Sequence, residues 1–239
     1  MSKSKILIII PAYNEEKAIL KTVKTIEEYN KKNKTDYDYV VINDGSKDNT
    51  RKVLEDNKLK HINLICNLGI GGAVQTGYKY ALENNYDIAV QFDGDGQHDI
   101  SFVKNITEPI VKRKANMVIG SRFIKKDKDN FNTTFMRRFG VNILSKLIKL
   151  KTNVKIYDVT SGFRAADKNI IKLFSEYYPV EYPEPISSVS VINENYKILE
   201  VPVKMKERTT GISSITTLKS AYYMINVILS ILLMKKGKK

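Results

Sequence analysis

The chain contains 239 residues, of which 42% are hydrophobic, so it can bury a core and is not expected to be disordered. A single cysteine, Cys66, excludes a disulfide framework and is typical of a reducing compartment. The net charge of +14 predicts an anionic partner, and nucleic acid is the weakest choice because the chain has no tryptophan and no nucleic-acid-binding signature. The N-terminal stretch does not match a secretory signal, so we expect a cytoplasmic protein.

Residues 1–120 alternate between strand-like and helix-like patterns. Apolar strands are predicted at Lys5–Ile10, Tyr39–Ile42, Ile62–Cys66, Ile88–Phe92 and Met117–Ile119. The first helix predicted between them has an inner face of Ile19, Val23 and Ile26. The other helices are predicted at Arg51–Glu55, Gly72–Glu83 and Phe102–Ile110. This alternation is typical of an α/β fold in which helices cover both faces of a parallel sheet.

After Gly120 the predicted elements are less regular. They are a basic amphipathic helix at Met136–Leu150, a strand at Phe163–Ala166, a helix from the Asp167 cap to about Phe174, a helix over 186–195 and a strand at Ile198–Val203. The apolar segment Ser220–Met234 is shorter than the ~20 residues that cross a bilayer. We therefore favour an in-plane helix on an anionic membrane surface over a packed or dimer-forming helix and over a true span.

Each of the first four predicted strands ends in polar, turn-forming sequence. These ends read "PAYNEE", "NDGS", "CNLGIGG" and "DGDGQHD". Ligands bind beyond the carboxyl ends of the strands in an open parallel sheet, so we expect the four loops to surround one crevice. The crevice would gather Glu15, Asp44, Asn67, Asp93 and Asp95. Acids at one edge repel one another unless a cation joins them, so a metal is predicted there.

Three phosphate or metal motifs can be tested against the spacing of these loops. A calcium loop counted from Asp93 fails because His98 and Lys104 stand where glycine and glutamate are needed. A Walker loop at "GAVQTGY" fails because Tyr78 replaces the lysine. The Asp93-x-Asp95 pair at a strand end remains, and it can hold one Mg²⁺ or Mn²⁺ with positions left for a diphosphate. We interpret His98 as a hydrogen-bonding residue of the loop rather than as a ligand.

Seven motifs carry a resemblance to a known family. They are "PAYNEE", "NDGS", "NLGIGGA", "DGDGQHD", "GSRF", "DVTSGFR" and "VPVKMKERTTGISS", in this order. Over roughly residues 5–215 the chain resembles the family 2 glycosyltransferases, and most of all the polyprenyl-phosphate sugar transferases related to dolichyl-phosphate mannosyl synthase. The resemblance implies a GT-A, Rossmann-like fold with a mixed, mostly parallel sheet. Residues 1–215 would form the catalytic domain, and 216–239 a membrane-associating apolar helix with a basic tail.

The resemblance also implies roles for residues on the donor side. The nucleotide would be lined by Pro11, Tyr13, Glu15, Asp44, Asn67 and Asp93, and the Mg²⁺ or Mn²⁺ ion would be held by Asp93, Asp95 and Gln97. Asp95 and Arg208 would act in catalysis, with Arg208 closing over the donor diphosphate. Many relatives read Asp-Asp-Gly-Ser where this chain has Asn43 to Ser46, so a UDP-sugar and a GDP-sugar both stay open.

On the acceptor side, the resemblance implies that Arg122, with Arg137 or Arg138, holds a phosphate, and that Asp158 matches a base used by some relatives. An ion pair for Arg122, a turn-holding role for Asp158 and a solvated helix face for Arg137 and Arg138 are the alternatives. A sugar hydroxyl needs a base, whereas a lipid phosphate with a second pKa of about 6 is already anionic and needs cations.

We therefore predict an inverting, metal-dependent transfer of a hexose or N-acetylhexosamine to a polyprenyl phosphate. The enzyme would be peripheral on the inner membrane face, and its C-terminal helix offers a surface for homo-oligomers. One alternative is a cell-wall or polysaccharide glycosyltransferase that acts on a hydroxyl of a lipid-linked glycan, with Asp158 as its base. A second alternative is a non-catalytic nucleotide-sugar-binding module.

Overall fold

In a computed structural model, the protein is described over residues 4–124, 135–205 and 217–235, with side chains given from Arg138 and Tyr222 onward in the last two segments. The strands are β1 Ile6–Ala12, β2 Asp38–Asn43, β3 His61–Asn63, β4 Ile88–Gln91, β5 Met117–Ser121, β6 Arg164–Asp167 and β7 Ile198–Pro202. The helices are α1 Ile19–Asn33, α2 Thr50–Asp56, α3 Gly69–Glu83, α4 Val103–Val111, α5 Phe135–Thr152, α6 Lys168–Glu176, α7 Pro183–Asn193 and α8 Thr217–Leu233.

The strands form one mixed sheet in the order β3-β2-β1-β4-β6-β5-β7. Strands β3, β2, β1 and β4 are parallel to one another, and β5 is parallel to β7. β6 runs antiparallel to both of its neighbours, β4 and β5. This sheet confirms the predicted mixed α/β fold. The reversed β6 departs from the purely parallel sheet that the strand–helix alternation indicated, because apolar periodicity carries no information about strand direction.

Helices cover both faces of the sheet. Leu7 and Ile9 of β1 lie in the core that includes α3, α6 and α7, while Ile8 and Ile10 lie in the core that includes α1 and α4. All four side chains are fully buried, which is why β1 reads as a continuous apolar run. The predicted inner face of α1 is confirmed, because Ile19, Val23 and Ile26 are also fully buried.

Three predicted boundaries are wrong by three residues each. α3 begins at Gly69 instead of about Gly72. β3 ends at Asn63 instead of Cys66, and Ile65 is fully exposed, because this edge strand pairs with β2 alone and the chain then turns away. α7 begins at Pro183, three residues before the prediction, since a proline at the first helical position is already in a helical conformation. The Asp167 cap is confirmed, and its carboxylate accepts hydrogen bonds from the backbone N–H groups of Asn169 and Ile170.

The predicted apolar segment Ser220–Met234 lies largely in α8, which packs against α5 and α7. Val227 and Ile231 are fully buried there, and a Cβ on Gly140 of α5 would lie 3.3 Å from the Met224 sulfur. Within the described ranges, no helix has the length and apolarity needed to cross a membrane. The predicted domain boundary at residue 215 lies outside the described residues and stays a prediction.

Candidate active site

The loops after β2 and β3 meet at the carboxyl edge of the sheet. The Asp44 carboxylate accepts a 2.7 Å hydrogen bond from the Leu68 backbone N–H, and the Asn67 side-chain amide donates to the Asp44 carbonyl at 3.1 Å. The structure therefore brings the predicted residues Asp44 and Asn67 into contact. Burial raises the pKa of Asp44, against the stabilising hydrogen bonds from Leu68 and Gly69.

A glycine makes this contact possible. Gly45 has φ +63°, in the left-handed region, and a Cβ there would lie 2.7 Å from the Asn67 nitrogen and 2.8 Å from the Cys66 carbonyl carbon. Beside it, the buried Asn43 donates through its side chain to the Asn63 side-chain oxygen at 2.7 Å. Asn43, the residue that departs from the family motif, is thus held by Asn63 of β3.

The loop after β1 is fastened to the loop after β2. Asn14, at φ +57°, donates its backbone N–H to Ser46 Oγ and accepts from the Lys47 backbone N–H at 2.8 Å. The Glu15 N–H donates to Thr50 Oγ1 at 2.8 Å. Tyr13, which precedes them in the chain, is 41% exposed. Tyr13 and Glu15 thus lie on a fixed loop at the predicted edge.

Asp93, Asp95 and Gln97 lie on one tight turn after β4, and all three are half-buried. The Gln97 N–H donates to Asp95 Oδ1 at 3.0 Å, and Gly96 between them has φ +77°. Thr22 of α1 donates to the Gly94 carbonyl at 2.9 Å, so helix and turn are joined. The turn also lies against β1, since a Cβ on Gly94 would be 3.0 Å from the carbonyl of Pro11.

His98 holds Asp93 from within the turn. The imidazole is 4% exposed, and its Nδ1 accepts the Asp93 backbone N–H at 3.0 Å, which places the ring proton on Nε2, 3.4 Å from Asp93 Oδ2. The ring stacks on Phe163 with centroids 4.7 Å apart. Burial lowers the pKa of His98 to about 4, despite the opposing charge of Asp95, so the ring is neutral at pH 7. The predicted hydrogen-bonding role of His98 is confirmed.

The acidic turn suits a metal that is shared with a phosphate. Nowhere in the described ranges do three or more His, Cys, Asp or Glu side chains form a closed metal site. Asp93 and Asp95 instead supply carboxylate oxygens from one half-buried turn. Mg²⁺ is commonly bound in this way, by one or two carboxylates together with substrate phosphates. The donor set therefore fits Mg²⁺ or Mn²⁺ in the company of a diphosphate.

The structure shows the ion pair that was the alternative for Arg122, and its partner is Asp158. Asp158 Oδ2 accepts from the Arg122 backbone N–H at 3.0 Å and from Nε at 2.8 Å, while Oδ1 accepts from Nη2 at 2.8 Å. Arg122 is 6% exposed and Asp158 is fully buried. Burial disfavours the charged guanidinium, but the bonds and charge of Asp158 outweigh burial and raise the pKa of Arg122.

The segment "DVTSGFR" is held on several sides. The Glu200 carboxylate accepts from the Tyr157 and Asp158 backbone N–H groups at 2.7 and 2.8 Å, and burial raises the pKa of Glu200 despite these bonds. Ser161 Oγ donates to the Gly120 carbonyl at 2.6 Å, and Arg164 Nε donates to the Ser161 carbonyl at 2.7 Å. These contacts fix Asp158 at the edge next to the end of β5.

Phe123 joins two of the predicted acceptor residues. The guanidinium carbons of Arg122 and Arg138 lie 5.3 and 5.1 Å from its ring centroid. The charge of Asp93 also acts on Arg122, so the pair borders the acidic turn. The side chain of Arg137 and the whole of Arg208 lie outside the described residues.

Glu184 is a charged residue of this region that the sequence did not indicate. The Glu184 carboxylate accepts a hydrogen bond from the Gln91 side chain and experiences the charges of Arg164 and Asp93. Burial raises the pKa of Glu184. The signal was the helix start "YPEP": the predicted helix began at residue 186, which left Glu184 in a loop, whereas the structure places it in the first turn of α7.

A mixed α/β sheet with an acidic turn and a buried arginine–aspartate pair at its carboxyl edge is typical of a glycosyltransferase of the GT-A type. A solved structure of glucosyl-3-phosphoglycerate synthase from Mycobacterium tuberculosis, in complex with Mn²⁺, UDP-glucose and phosphoglyceric acid, shares this fold. Its TM-score is 0.72 at 16% identity, over 99% of this chain and 82% of that one. The sequence profile of glycosyl transferase family 2 matches residues 7–174, and the chain belongs to that family.

Curated relatives are similar over most of their length. A UDP-N-acetylglucosamine–dolichyl-phosphate N-acetylglucosaminyltransferase of Methanococcus voltae is 34% identical over 223 residues, which cover 85% of this chain and 86% of the relative. An undecaprenyl-phosphate mannosyltransferase of Micrococcus luteus is 27% identical over 224 residues, or 89% and 88% of the two chains. The protein is a glycosyltransferase enzyme, which confirms the predicted class and leaves the binding-module alternative without support.

Proposed function

We propose that this enzyme transfers a hexose or N-acetylhexosamine from a UDP- or GDP-sugar to a polyprenyl phosphate at a membrane surface, with inversion at the sugar carbon. Relatives named for N-acetylglucosamine and mannose transfer to such lipids support the acceptor class. Because those relatives differ in the sugar they transfer, the donor is proposed only as a class.

The burial and hydrogen bonds of Asp158 are the observation that supports a phosphate acceptor. A general base must reach the proton that it removes, but Asp158 is fully buried and both carboxylate oxygens accept hydrogen bonds from Arg122. A hydroxyl acceptor would need Asp158 to leave this pair. A phosphate monoester has a second pKa of about 6 and is already a nucleophile at neutral pH. We infer that Asp158 positions Arg122 and that no base is required.

The acceptor phosphate would lie near the Arg122–Phe123–Arg138 cluster. Arg122 stays charged because of its raised pKa, so it would attract phosphate oxygens through its charge while Nε and Nη2 remain bound to Asp158. Phe123 keeps Arg138 within 5.1 Å of the same ring, which brings a second cation to the place where the attacking oxygens are held. Arg137, whose side chain lies outside the described residues, would add to this charge. Arg208, which also lies outside them, would act instead on the donor diphosphate.

On the donor side, Asp93 and Asp95 would hold Mg²⁺ or Mn²⁺, with Gln97 beside them. A bound divalent ion supplies charge neutralisation to the diphosphate that leaves. His98 accepts the Asp93 backbone N–H and lies 3.4 Å from the Asp93 carboxylate while remaining uncharged, so it adds no positive charge that would repel the ion. Pro11, Tyr13, Glu15, Asp44 and Asn67 would line the nucleotide from the loops of β1, β2 and β3.

The function is tested with purified protein, Mg²⁺ or Mn²⁺, and radiolabelled UDP- and GDP-sugars, with detergent-dispersed polyprenyl phosphate as acceptor. Polyprenol without phosphate is the matched control. We expect label in the organic phase only with the phosphate, in a product that mild acid releases. Transfer to a lipid-linked glycan, with none to polyprenyl phosphate, would instead support the cell-wall or polysaccharide alternative.

The role of Asp158 is tested by Asp158→Asn beside Arg122→Lys. If Asp158 has a positioning role, Asp158→Asn mainly raises KM for the lipid phosphate. The activity of wild type and of Asp158→Asn should then rise with pH near pH 6, where the acceptor phosphate ionises. If Asp158 is the base, kcat falls by about 10² or more while KM changes little. That second pattern would contradict the inference.

A further inference from the structure

Glu184 lies between the donor half and the acceptor half of the site. The acidic turn follows β4 and Arg122 follows β5, and the amino end of β6 lies between these two strands. A sugar that leaves a diphosphate at the acidic turn for a phosphate at Arg122 would therefore lie over the amino end of β6. Glu184 experiences the charge of Asp93, and its own charge acts on Arg122. The Glu184 carboxylate thus borders the place of the transferred sugar.

Gln91 fixes the Glu184 side chain. Gln91 is the last residue of β4 and is 1% exposed, and its side chain forms a hydrogen bond with the Glu184 carboxylate. The Tyr178 hydroxyl donates to Gln91 Oε1 at 3.5 Å, so the Gln91 amide N–H is the group that donates to Glu184. An ionised carboxylate offers about four acceptor sites, which is enough for this bond and for the hydroxyl groups of a sugar.

Gly162 brings Gln91 and the acidic turn together. A Cβ on Gly162 would lie 3.0 Å from Gln91 Nε2 and 3.3 and 3.4 Å from the two carboxylate oxygens of Asp93. The Gln91 amide and the Asp93 carboxylate therefore lie against the same glycine. Glu184 is bonded to that amide and is half-buried, so part of its side chain remains open to a ligand beside the acidic turn.

Arg164 holds the first turn of α7, which carries Glu184, against β6. The Arg164 side chain is 1% exposed, and its Nη1 donates to Ser187 Oγ of α7 at 2.9 Å. Burial raises the pKa of the Glu184 carboxyl, and the charge of Arg164 acts against this rise. The carboxylate is therefore held in one place by a buried framework that joins β4, β6 and α7.

We propose that Glu184 is a specificity-determining residue that accepts hydrogen bonds from hydroxyl groups of the transferred sugar and excludes sugars with a carboxylate of their own. This inference rests on the proposed function and narrows its donor to an uncharged hexose or N-acetylhexosamine. A hydroxyl that donates to a carboxylate forms a strong, charge-assisted bond. A hexuronic acid would instead place a third carboxylate beside Glu184 and Asp93, and like charges so close together are unfavourable.

The test is isothermal titration of the full chain with Mg²⁺ and without any acceptor lipid. The ligands are UDP-N-acetylglucosamine, UDP-glucose and GDP-mannose, each compared with UDP or GDP alone. UDP-glucuronic acid is the charged ligand, or GDP-mannuronic acid if the chain binds GDP-sugars. The variants are Glu184→Ala and Glu184→Gln. Glu194→Gln is the matched control, because Glu194 is exposed at the other end of α7.

We expect Glu184→Ala to raise the Kd of the nucleotide sugar by about tenfold or more, because a hydrogen bond to a charged group is lost. The Kd of UDP or GDP alone should stay within about twofold of wild type. This second value also shows that the variant is folded and that its nucleotide site is intact. Wild type should bind the uronic acid donor at least about tenfold more weakly than the matching hexose donor, and Glu184→Gln should reduce this difference. Glu194→Gln should match wild type throughout.

Three results would overturn the proposal. Equal losses for the nucleotide sugar and for the nucleoside diphosphate would give Glu184 a purely structural role. An unchanged Kd for the nucleotide sugar in Glu184→Ala would remove Glu184 from the sugar site. Equal binding of the uronic acid donor and the hexose donor by wild type would end the exclusion, and this measurement does not depend on whether Glu184→Ala folds. Failure of the proposed function reads out separately, either as no binding of any nucleotide sugar by wild type or as donor binding without transfer to polyprenyl phosphate.

Discussion

Removing Asp158 should destabilise the protein more than removing almost any other carboxylate. Asp158→Ala leaves Arg122, 6% exposed, without the three hydrogen bonds at 2.8–3.0 Å that now compensate its burial. Loss of one partner from a buried ion pair costs about 3–5 kcal/mol, because the remaining charge is uncompensated. A domain of this kind has only about 5–15 kcal/mol of stability in total, so the change is easily measured.

The assay is equilibrium urea unfolding of wild type and variants at one pH. Asp56→Ala is the control, because its pair with Lys52 is exposed to solvent and should contribute little to stability. The double variant Arg122→Ala, Asp158→Ala should lose less than the sum of the single losses, because no unpaired charge is left. A loss below about 1 kcal/mol for Asp158→Ala would refute the argument that the pair is buried and mutually dependent.

Three further predictions follow from the carboxyl edge. The pKa of His98 is about 4 in the folded protein and about 6.5 in the unfolded chain. The contribution of the neutral ring to stability is therefore complete above pH 6.5, and about 3 kcal/mol of it is lost as pH falls toward 4. Urea unfolding should show this pH dependence for wild type and not for His98→Asn. Gly45→Ala should lower the unfolding free energy by more than about 1 kcal/mol and raise the donor KM, while an unchanged denaturation curve would show that the left-handed turn relaxes. Asp95→Asn should abolish sugar transfer at saturating Mg²⁺ or Mn²⁺, whereas full activity would remove Asp95 from the metal site.

Much of the fold was predictable because its signals are local. The apolar runs of β1, β2 and β4, and the polar sequence that follows each one, place Asp44 and Asp93 at one edge once the strands are taken as parallel. The glycines and acids of the turn at Asp93–His98 are also a local pattern. The predicted crevice therefore needed only strand positions and the rule for parallel sheets.

What the sequence did not reveal depends on contacts between distant residues. Arg122 and Asp158 are 36 positions apart, and no periodicity indicates that they pair. The direction of β6 depends on which strands it joins, and its four residues carry no pattern long enough to decide. Glu184 was missed because a helix start with two prolines was taken for a loop. The metal, the nucleotide contacts and the acceptor contacts stay predictions.

The reversed strand β6 has a consequence for how the enzyme matures. Its amino end reaches the rim where β4 and β5 finish, so "DVTSGFR" is inserted between the donor half and the acceptor half. Residue 88 of β4 pairs with residue 167 of β6, so these two strands can pair only after β6 has been made. Pairing between residues this far apart in the chain forms slowly. A nascent chain that stops short of β6 would thus contain Arg122 and Asp158 without the strand that holds their segment at this rim. We expect pulse-labelling hydrogen exchange to protect β6 among the last strands, which would make catalytic competence a late event in folding.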